Sequence, residues 1–305
     1  KLRDQVEISA FVTRKGANAM ELAQHYGAEH ASTSLDDILD SVAFDAVLIG
    51  TRHDKHTEIT LKCLKAGKHV LVEKPLAIAW YELNQIKEFY NSFSEQDFPL
   101  LMTGFNRRFS PYIERINKYI NNRSTPLVMN YQINTKYLEK DHWQRSDEGG
   151  GRNLGEACHI YDLFTFLCNA EVDYVSASSI GSSNESLGKN ENFTTTIKFK
   201  DGSIGNLTYT SLGSTKYPKE ICHIFCDRKV YYLNNYTNLD VFGTEDDALK
   251  SDSPDKGHLD ELKFFIRAIK GEIDWPLPLW QQFQATEIAL NVEDQINGLI
   301  SKTDV

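Results

Sequence analysis

The chain has 305 residues and a mass of 34.8 kDa, which is enough for roughly two domains that each have their own core. Hydrophobic residues make up 41% and charged residues 25% of the chain, which is typical of globular proteins and argues against collagen, coiled coil and long disorder. The net charge of −10 and the pI near 5.4 argue against a partner that is nucleic acid or anionic membrane. No run of about 18 apolar residues and no signal-peptide pattern is present, so we expect a cytoplasmic protein without a membrane span.

The first hundred residues alternate between strand-like and helix-like patterns. Apolar runs predict strands at 6–12, 46–50, 69–72 and 100–105. Helical spacing predicts helices at 19–26, 56–65 and 80–93, and a further helix that begins after Ser34, with Asp37 completing a capping box. Repeated strand–helix–strand units with short connections predict a doubly wound parallel sheet.

After about residue 120 the strand patterns follow one another with turns between them. Strands are predicted at 126–136, 171–181, 192–200, 203–211, 219–226 and 229–243. Helices are predicted at 154–167, at 259–269 and at 279–300. We therefore expect an α/β protein in which a doubly wound domain over 1–108 precedes an α+β domain over 109–305. The second domain has a large open, mostly antiparallel sheet.

The five cysteines indicate reduced thiols. They lie at Cys63, Cys158, Cys168, Cys222 and Cys226, and their odd number and scattered positions do not fit a disulfide framework. Cys222, His223 and Cys226 are near one another in sequence, but they lack C-x-x-C spacing and tetrahedral partners. We favour buried strand cysteines over zinc and expect no metal.

Polar residues follow three of the predicted parallel strands, where ligands bind in open sheets of this kind. They form the segments 51–56, 73–75 and 106–108. Each segment alone can be an ordinary solvated loop, but three at one sheet edge indicate a binding site.

Lys74 stands out within these segments because it comes directly after a buried strand and before Pro75. The proline restricts Lys74 to extended conformations and holds it near the sheet edge. A lysine held there can transfer a proton near neutrality. The alternative is an ordinary surface ion pair, which is worth little.

The sequence DAVLIGTRHDKHTEITLKCLKAGKHVLVEKPL at 45–76 resembles the strand–loop–helix–strand signature of the Gfo/Idh/MocA oxidoreductases. TGFNRRFSP, GGGRNLGEACHIYDL and HLDELKFFIRAIKGE resemble later motifs of the same family. The resemblance implies a Rossmann-like first domain that binds NAD or NADP, and a small sugar-like substrate over the second sheet. It further implies hydride transfer at a secondary alcohol or ketone of a sugar, nucleotide sugar or cyclitol.

The same resemblance implies roles for individual residues. Lys74 would be the catalytic acid or base, and His159 would share its proton. The residues implied to bind substrate are Asn106, Arg107, Glu156 and Asp162, with Arg108 near the domain junction. The residues implied to bind cofactor are Thr13, Arg14, Thr51, His53, His56, Glu73 and Lys74. For His159 the alternative is a histidine whose hydrogen bonds are satisfied within the core.

Two positions depart from the usual pattern of the family. Dehydrogenases of the family usually carry Asp four residues before the histidine, where this chain has Gly155, and Glu156 is the nearby acid. NAD enzymes tend to carry an acid after the second strand, where this chain has Thr13-Arg14-Lys15. Because an arginine there accommodates a 2′-phosphate, we expect NADP slightly over NAD.

The Gly-rich turn G-x-G-x-x-G does not occur in the chain. VEISAFV resembles the second strand of the family, so we expect the first strand and its turn to precede residue 1. We also expect unpaired strand edges in the first domain. The sequence further resembles proteins in which such a unit follows a zinc-alcohol-dehydrogenase-like half in one chain.

Two other functional readings stay open at this point. The chain could be a non-catalytic sugar or nucleotide sensor or an interaction module on the same fold, or a fragment that is inactive without its upstream segment. In either case the open second sheet predicts a homo-oligomer, a dimer or a tetramer.

Overall fold

The computed structural model describes residues 2, 4–93, 98–181, 189–244 and 248–299. In its first part the elements are β1 (Ala10–Val12), α1 (Gly16–Tyr26), β2 (His30–Ser32), α2 (Leu35–Ser41), β3 (Ala46–Ile49), α3 (His56–Lys65), β4 (His69–Val72), α4 (Trp80–Asn91) and β5 (Leu101–Thr103). In its second part they are α5 (Pro111–Ile120), β6 (Val128–Asn134), α6 (Cys158–Cys168), β7 (Val172–Ser179), β8 (Phe193–Phe199), β9 (Ile204–Thr210), β10 (Glu220–Cys226), β11 (Lys229–Asn234), β12 (Asn238–Phe242), β13 (Leu249–Lys250), α7 (His258–Ile269) and α8 (Leu279–Asn297). Short 3₁₀ turns lie at His53–Lys55, Asn106–Phe109, Trp143–Arg145 and Lys189–Glu191, and a π-helix lies at Asn153–Ala157.

All strand pairs of the first domain are parallel, as predicted. β1 pairs with β2, and β4 lies between β3 and β5. Among the described strands no hydrogen-bonded pairing joins the two groups, so the expected unpaired edges are present. Leu48 of β3 accordingly has 62% of its surface exposed, although its neighbour Ile49 is buried.

The second domain is built on one eight-stranded sheet in the order β13-β12-β11-β10-β6-β9-β8-β7. Its strand pairs are antiparallel except for β6 and β9, which run parallel. Side chains alternate strictly along strands such as β8, whose residues are buried and exposed in turn. One face therefore packs on α6, where Phe164 contacts Tyr131 of β6, and on α8, which contacts β7, while Val128 and Phe225 on the other face are exposed. This confirms the predicted α/β fold with a mostly antiparallel second sheet.

The prediction of a single strand over 229–243 is wrong. The segment forms the hairpin of β11 and β12, with Asn235 and Tyr236 at positive φ in the turn between them. Asparagine tolerates this left-handed conformation. For Tyr236 the cost of the conformation is offset by burial of its ring, whose hydroxyl oxygen lies 3.1 Å from that of Tyr131. Because the turn contains neither glycine nor proline, the sequence pattern concealed it.

Three further elements were not predicted: β2, α5 and β13. α5 begins with Pro111 and buries Tyr112, Ile113, Ile116 and Ile120 on one face, which is a clear amphipathic pattern.

The predicted cap of α2 is present, since Ser34 Oγ accepts a hydrogen bond from the Asp37 amide at 3.3 Å. The predicted final helix reaches Asn297, and Ile300 lies outside the described residues.

α8 joins the two domains. Gln282, which is fully buried, accepts hydrogen bonds at 2.9 Å from both the amide and the hydroxyl of Thr103 in β5. Its amide group donates to the carbonyl of Leu101 at 2.9 Å. These bonds satisfy the backbone groups of a sheet-edge strand that would otherwise be buried unpaired, so the position of the parallel sheet relative to the second domain is defined.

Candidate active site

Lys74 lies at the carboxyl end of β4, where the sequence places it. The preceding Glu73 is exposed, and its amide continues the sheet by donating to the carbonyl of Ile49 at 2.8 Å. Lys74 Nζ donates a hydrogen bond at 2.9 Å to the carbonyl oxygen of Gly155, in the π-helix of the second domain. Lys74 thus binds a backbone carbonyl across the domain junction, in place of the surface ion pair that the sequence also allowed for it.

His53 fills the space beside Gly155. A Cβ added to Gly155 would lie 2.8 Å from Cε1 of the His53 ring, so any larger residue at this position would collide with the ring. Nδ1 of His53 contacts the Gly149 carbonyl oxygen at 2.7 Å. Trp143 packs edge-on against the His53 ring, with 4.8 Å between the ring centroids. Burial, assisted by the charge of Lys74, lowers the pKa of His53 to about 4. His53 is therefore neutral, and its Nδ1–H donates to the carbonyl.

His56 and Thr51 lie in the same loop. Nδ1 of His56 contacts the carbonyl of Pro75 at 2.8 Å, and its Nε2 contacts the carbonyl of Thr51 at 3.3 Å. The ring is fully buried, and burial lowers its pKa. His56 therefore ties the loop after β3 to the segment after β4, which fixes the backbone around Lys74 while Thr51 stays exposed.

His159 lies in the first turn of α6 and is 5% exposed. Its Nδ1 is buried and has no hydrogen-bond partner among the described residues. Burial lowers its pKa well below the usual value, and the charges of Arg107, Lys74 and Lys256 lower it further. His159 is thus a neutral imidazole with an unsatisfied nitrogen, unlike the satisfied core histidine of the alternative reading.

Arg107 and Asn106 follow β5 and face the second sheet. Arg107 donates from Nε and Nη2 to the carboxylate of Glu220, at 2.9 and 3.1 Å. Lys256 donates to the same carboxylate, and the Tyr131 hydroxyl donates to it at 2.6 Å. Burial opposes the charge on Glu220, but Arg107 and Lys256 outweigh it and hold its pKa below the usual range. Asn106 Nδ2 donates to the carbonyl of Lys256 at 2.8 Å.

Glu156 forms a second cluster one residue after Gly155. Arg152 donates to its carboxylate at 2.8 Å, Lys219 donates at 2.5 Å, and the hydroxyl of Tyr209 donates as well. Burial raises the pKa of Glu156, but these three partners outweigh it and lower the pKa to about 2. Glu156 is therefore ionised and anchored on the second sheet.

Asp162 lies beneath the site rather than at its surface. It is fully buried, and it accepts hydrogen bonds from Nε and Nη2 of Arg108 at 3.1 and 2.5 Å. Arg108 also donates to Gln281 of α8 at 2.7 Å. In this arrangement Asp162 holds the segment that carries Arg107, and its contact with substrate remains a prediction.

Thr13 and Arg14 follow β1 at the other group of parallel strands. Thr13 Oγ1 donates to the carbonyl of Lys15 at 2.7 Å, in the turn that leads into α1. Arg14 is exposed there. The structure thus places these two residues on the first group of strands, and the other candidate residues around the second group and the π-helix.

Several residues of the site were not singled out from the sequence. Arg152 had a weak local signal, because it lies four residues before Glu156, just ahead of the helix predicted at 154–167. Lys219, Tyr209 and Lys256 had none, since they reach the site through strand pairing and a loop far along the chain. Glu261 of α7 was also missed: it is buried, its Oε1 has no partner among the described residues, and burial, assisted by the charges of Glu73 and Asp162, raises its pKa to about 9.

The fold and this polar sheet edge define an α/β protein of the dinucleotide-binding class. The chain belongs to the Gfo/Idh/MocA oxidoreductase family. Residues 1–102 match the family model described as "Oxidoreductase family, NAD-binding Rossmann fold", and residues 125–245 match the GFO/IDH/MocA C-terminal domain. The resemblance stated from the sequence is thereby confirmed.

Two similar curated relatives are named as dehydrogenases. The chain is 23% identical over 281 residues to myo-inositol 2-dehydrogenase of Thermotoga maritima, covering 88% of this chain and 83% of that enzyme. It is 30% identical over 170 residues to 4-carboxy-2-hydroxymuconate-6-semialdehyde dehydrogenase of Sphingobium sp., covering 53% of this chain and 51% of that enzyme. It thus spans about half the length of the second relative.

Solved structures share the fold at low identity. UDP-N-acetylglucosamine 3-dehydrogenase from Acidithiobacillus ferrooxidans superposes with a TM-score of 0.79 at 18% identity, covering 96% of this chain and 91% of that one. At this identity the match shows the fold alone and does not assign a substrate.

The residues present fit one end of a nicotinamide dinucleotide. Lys74, the unsatisfied Nδ1 of His159 and the exposed Thr51 and Glu73 lie at or next to the carboxyl edge of β3, β4 and β5. Arg14 lies exposed after β1. The 305 residues contain no G-x-G-x-x-G turn, which holds the pyrophosphate in many dinucleotide-binding proteins.

Other features of the described chain concern metal, membrane and the cysteines. Within the described residues, no three His, Cys, Asp or Glu side chains are grouped to hold a metal ion. No described helix is long and apolar enough to cross a membrane. All five cysteines are buried and free, and Cys222 and Cys226 lie in β10 as predicted.

Proposed function

We propose that the protein is an NAD(P)-dependent dehydrogenase that acts on a secondary alcohol or ketone of a sugar, nucleotide sugar or cyclitol. The observation that carries this proposal is the hydrogen bond from Lys74 to Gly155, because it fixes an amine beside the helix that bears His159. The names of relatives such as myo-inositol 2-dehydrogenase and levoglucosan dehydrogenase support the substrate class.

Lys74 and His159 handle the proton in this mechanism. Lys74 donates a hydrogen bond to the reacting oxygen and exchanges a proton with it. His159, held neutral by burial, is proposed to share that proton through a hydrogen bond to Nδ1, which has no partner among the described residues. Asn106 and Arg107, beside the same junction, are proposed to position polar groups of the substrate, together with Glu156.

The cofactor supplies the hydride acceptor or donor. Thr51, His53, His56 and Glu73 are proposed to hold the nicotinamide end near Lys74, and Thr13 and Arg14 the adenosine ribose. The exposed guanidinium of Arg14 favours NADP, whose 2′-phosphate it can bind.

A test of the dehydrogenase function combines binding with turnover. Fluorescence titration with NADPH and NADH measures cofactor binding, and absorbance at 340 nm measures reaction over a panel of sugars and cyclitols. The proposal predicts both binding and turnover. Cofactor binding without any turnover would contradict it and support a sensor on the same fold, a reading that the glycine at position 155 favours.

A homo-oligomer is proposed from the open face of the eight-stranded sheet. Large side chains exposed there include Val128, Tyr217, Phe225 and Phe242, around a depression of about 470 Å³. Such patches usually mark an interface, and a second copy of the chain is the proposed occupant. Analytical ultracentrifugation that shows a monomer would contradict the proposed homo-oligomer. The cytoplasmic location of the protein also stays a prediction.

A further inference from the structure

Two carboxylates at the domain junction are each shared by two cations. Glu220 accepts hydrogen bonds from Arg107 and Lys256, and Glu156 accepts them from Arg152 and Lys219. One negative charge neutralises one of the two cations in each cluster. A positive charge therefore remains in both, although the chain as a whole carries −10.

The two clusters adjoin each other and the proposed catalytic groups. Lys219 directly precedes Glu220, the first residue of β10, so both clusters lie at the same end of the sheet. Gly155, whose carbonyl binds Lys74, directly precedes Glu156. The Glu156 cluster is therefore next to the residue that binds Lys74, and Lys74, Arg107 and Lys256 all act on the pKa of His159.

The charges that act most strongly on the pKa of His159 have one sign. Apart from burial, the groups that act most strongly on its ring are Arg107, Lys74, Lys256 and His258, all of them basic side chains.

Nearby acids do not cancel this excess. Asp162 is paired with Arg108, and burial keeps Glu261 protonated at neutral pH. Glu73 and Asp255 act on the pKa of neighbouring groups such as His258, but neither is among the groups that act most strongly on the pKa of His159.

Lys219 and Lys256 are accessible to a ligand. Their side chains are 45% and 24% exposed. An ammonium group has three N–H donors, and the carboxylates Glu156 and Glu220 each accept one of them. The remaining donors can bind an anion, and a partly buried positive cleft raises the local concentration of anionic ligands.

We propose that the substrate of this site is an acidic sugar or cyclitol, and that its carboxylate or phosphate group binds beside Lys219 and Lys256. This inference rests on the proposed dehydrogenase function, because it names the substrate class of the same site. Binding of the anion completes the charge balance of the two clusters, and it orients the sugar ring toward Lys74.

The test measures binding without requiring turnover. Calorimetric titration of the protein with D-glucuronate, D-glucose 6-phosphate and D-glucose compares a carboxylate, a phosphate and a neutral form of one sugar. At least one anion is expected to bind about tenfold or more tightly than D-glucose, which corresponds to about 1.4 kcal/mol. Preference for glucuronate would identify a carboxylate site, and preference for the phosphate a phosphate site.

Lys219→Gln and Lys256→Gln are each expected to weaken binding of the preferred anion by about tenfold. Lys198→Gln is the matched control. Lys198 is an exposed lysine of β8 that lies outside both clusters and pairs with Asp173 of β7. It should bind the anion like the unmodified protein.

Three results would overturn the proposal: glucose binding as tightly as both anions, no detectable binding of either anion, or unchanged anion binding in both cluster variants. If the third result is accompanied by a loss of NADPH affinity in the same variants, the positive charge serves the cofactor instead. Anion binding without turnover on any substrate would instead contradict the dehydrogenase function alone.

Discussion

Lys74 donates a hydrogen bond from Nζ to the carbonyl oxygen of Gly155 at 2.9 Å, although the two residues are 81 positions apart. The bond joins the carboxyl edge of the parallel sheet to the π-helix of the second domain. It leaves two N–H donors of the ammonium group for a reacting oxygen. His53 packs against the same glycine, so three residues from two domains meet at one point.

Gly155→Ala tests the contact with His53. The added methyl group would lie 2.8 Å from Cε1 of the ring, and such overpacking costs about 1–3 kcal/mol of stability. In a His53→Ala background the same change should cost far less, because the ring is gone. Urea unfolding of the four proteins gives the interaction energy.

Gly50→Ala is the control for this cycle, since no atom lies within 4 Å of its added Cβ. It should leave the unfolding free energy nearly unchanged. Equal costs of Gly155→Ala in both backgrounds would show that the His53 ring does not occupy this space.

Glu261→Gln should raise stability increasingly with pH. Burial raises the pKa of Glu261 to about 9 in the folded protein, against about 4.3 in an unfolded chain. The folded state therefore binds the extra proton between these values, and folding loses up to about 1.4 kcal/mol per pH unit as pH rises. Glutamine removes this loss.

The measurement for Glu261 is urea unfolding of both proteins at pH 5, 7 and 8.5. The gap in favour of the glutamine variant should widen with pH and close at the acid end. A gap that stays constant with pH would mean that Glu261 keeps an ordinary pKa in the fold.

Glu220→Gln should destabilise the protein by about 3–5 kcal/mol. It removes the carboxylate shared by Arg107 and Lys256, and it leaves the buried Arg107 guanidinium without its counter-ion. Glu171→Gln, which breaks an exposed pair with Lys200, serves as the control and should change nothing measurable. Chemical denaturation reports both, and a Glu220 variant as stable as the control would refute the role of this cluster in the fold.

Arg14→Ala should weaken NADP binding by about tenfold and leave NAD binding within a few-fold, because only NADP carries the 2′-phosphate. Fluorescence titration with the two reduced cofactors measures both constants. Tighter binding of NAD than of NADP by the unmodified protein would contradict the expected preference.

The carboxyl-edge residues could be predicted because local signals mark them. The buried runs before Thr51, Lys74 and Asn106 identify parallel strands, and the ends of such strands share an edge. The segment around His159 could be predicted because its sequence resembles a motif of the Gfo/Idh/MocA family. These signals indicated the edge of the parallel sheet at which Thr51, Lys74 and Asn106 lie, and the roles of these residues stay predictions.

The partners within the site were not predictable in the same way. The contact between His53 and Gly155 joins residues about a hundred positions apart, and the shared ion pairs of Glu220 depend on the register of β10 with β6. Neither leaves a periodic pattern in the sequence. The turn at Asn235 and Tyr236 was missed for a related reason, because burial of Tyr236 stabilises a conformation that its residue type does not favour.

Lys74→Ala is the most direct test of the proposed catalytic role. Turnover of an active substrate, measured at 340 nm, should fall by at least about 10²–10⁴-fold, because proton transfer to the reacting oxygen is lost. The dissociation constant for NADPH should stay within a few-fold, and Lys198→Ala should match the unmodified protein in both measurements. Turnover by the Lys74→Ala variant at the unmodified rate would contradict the role of Lys74 as the catalytic acid or base.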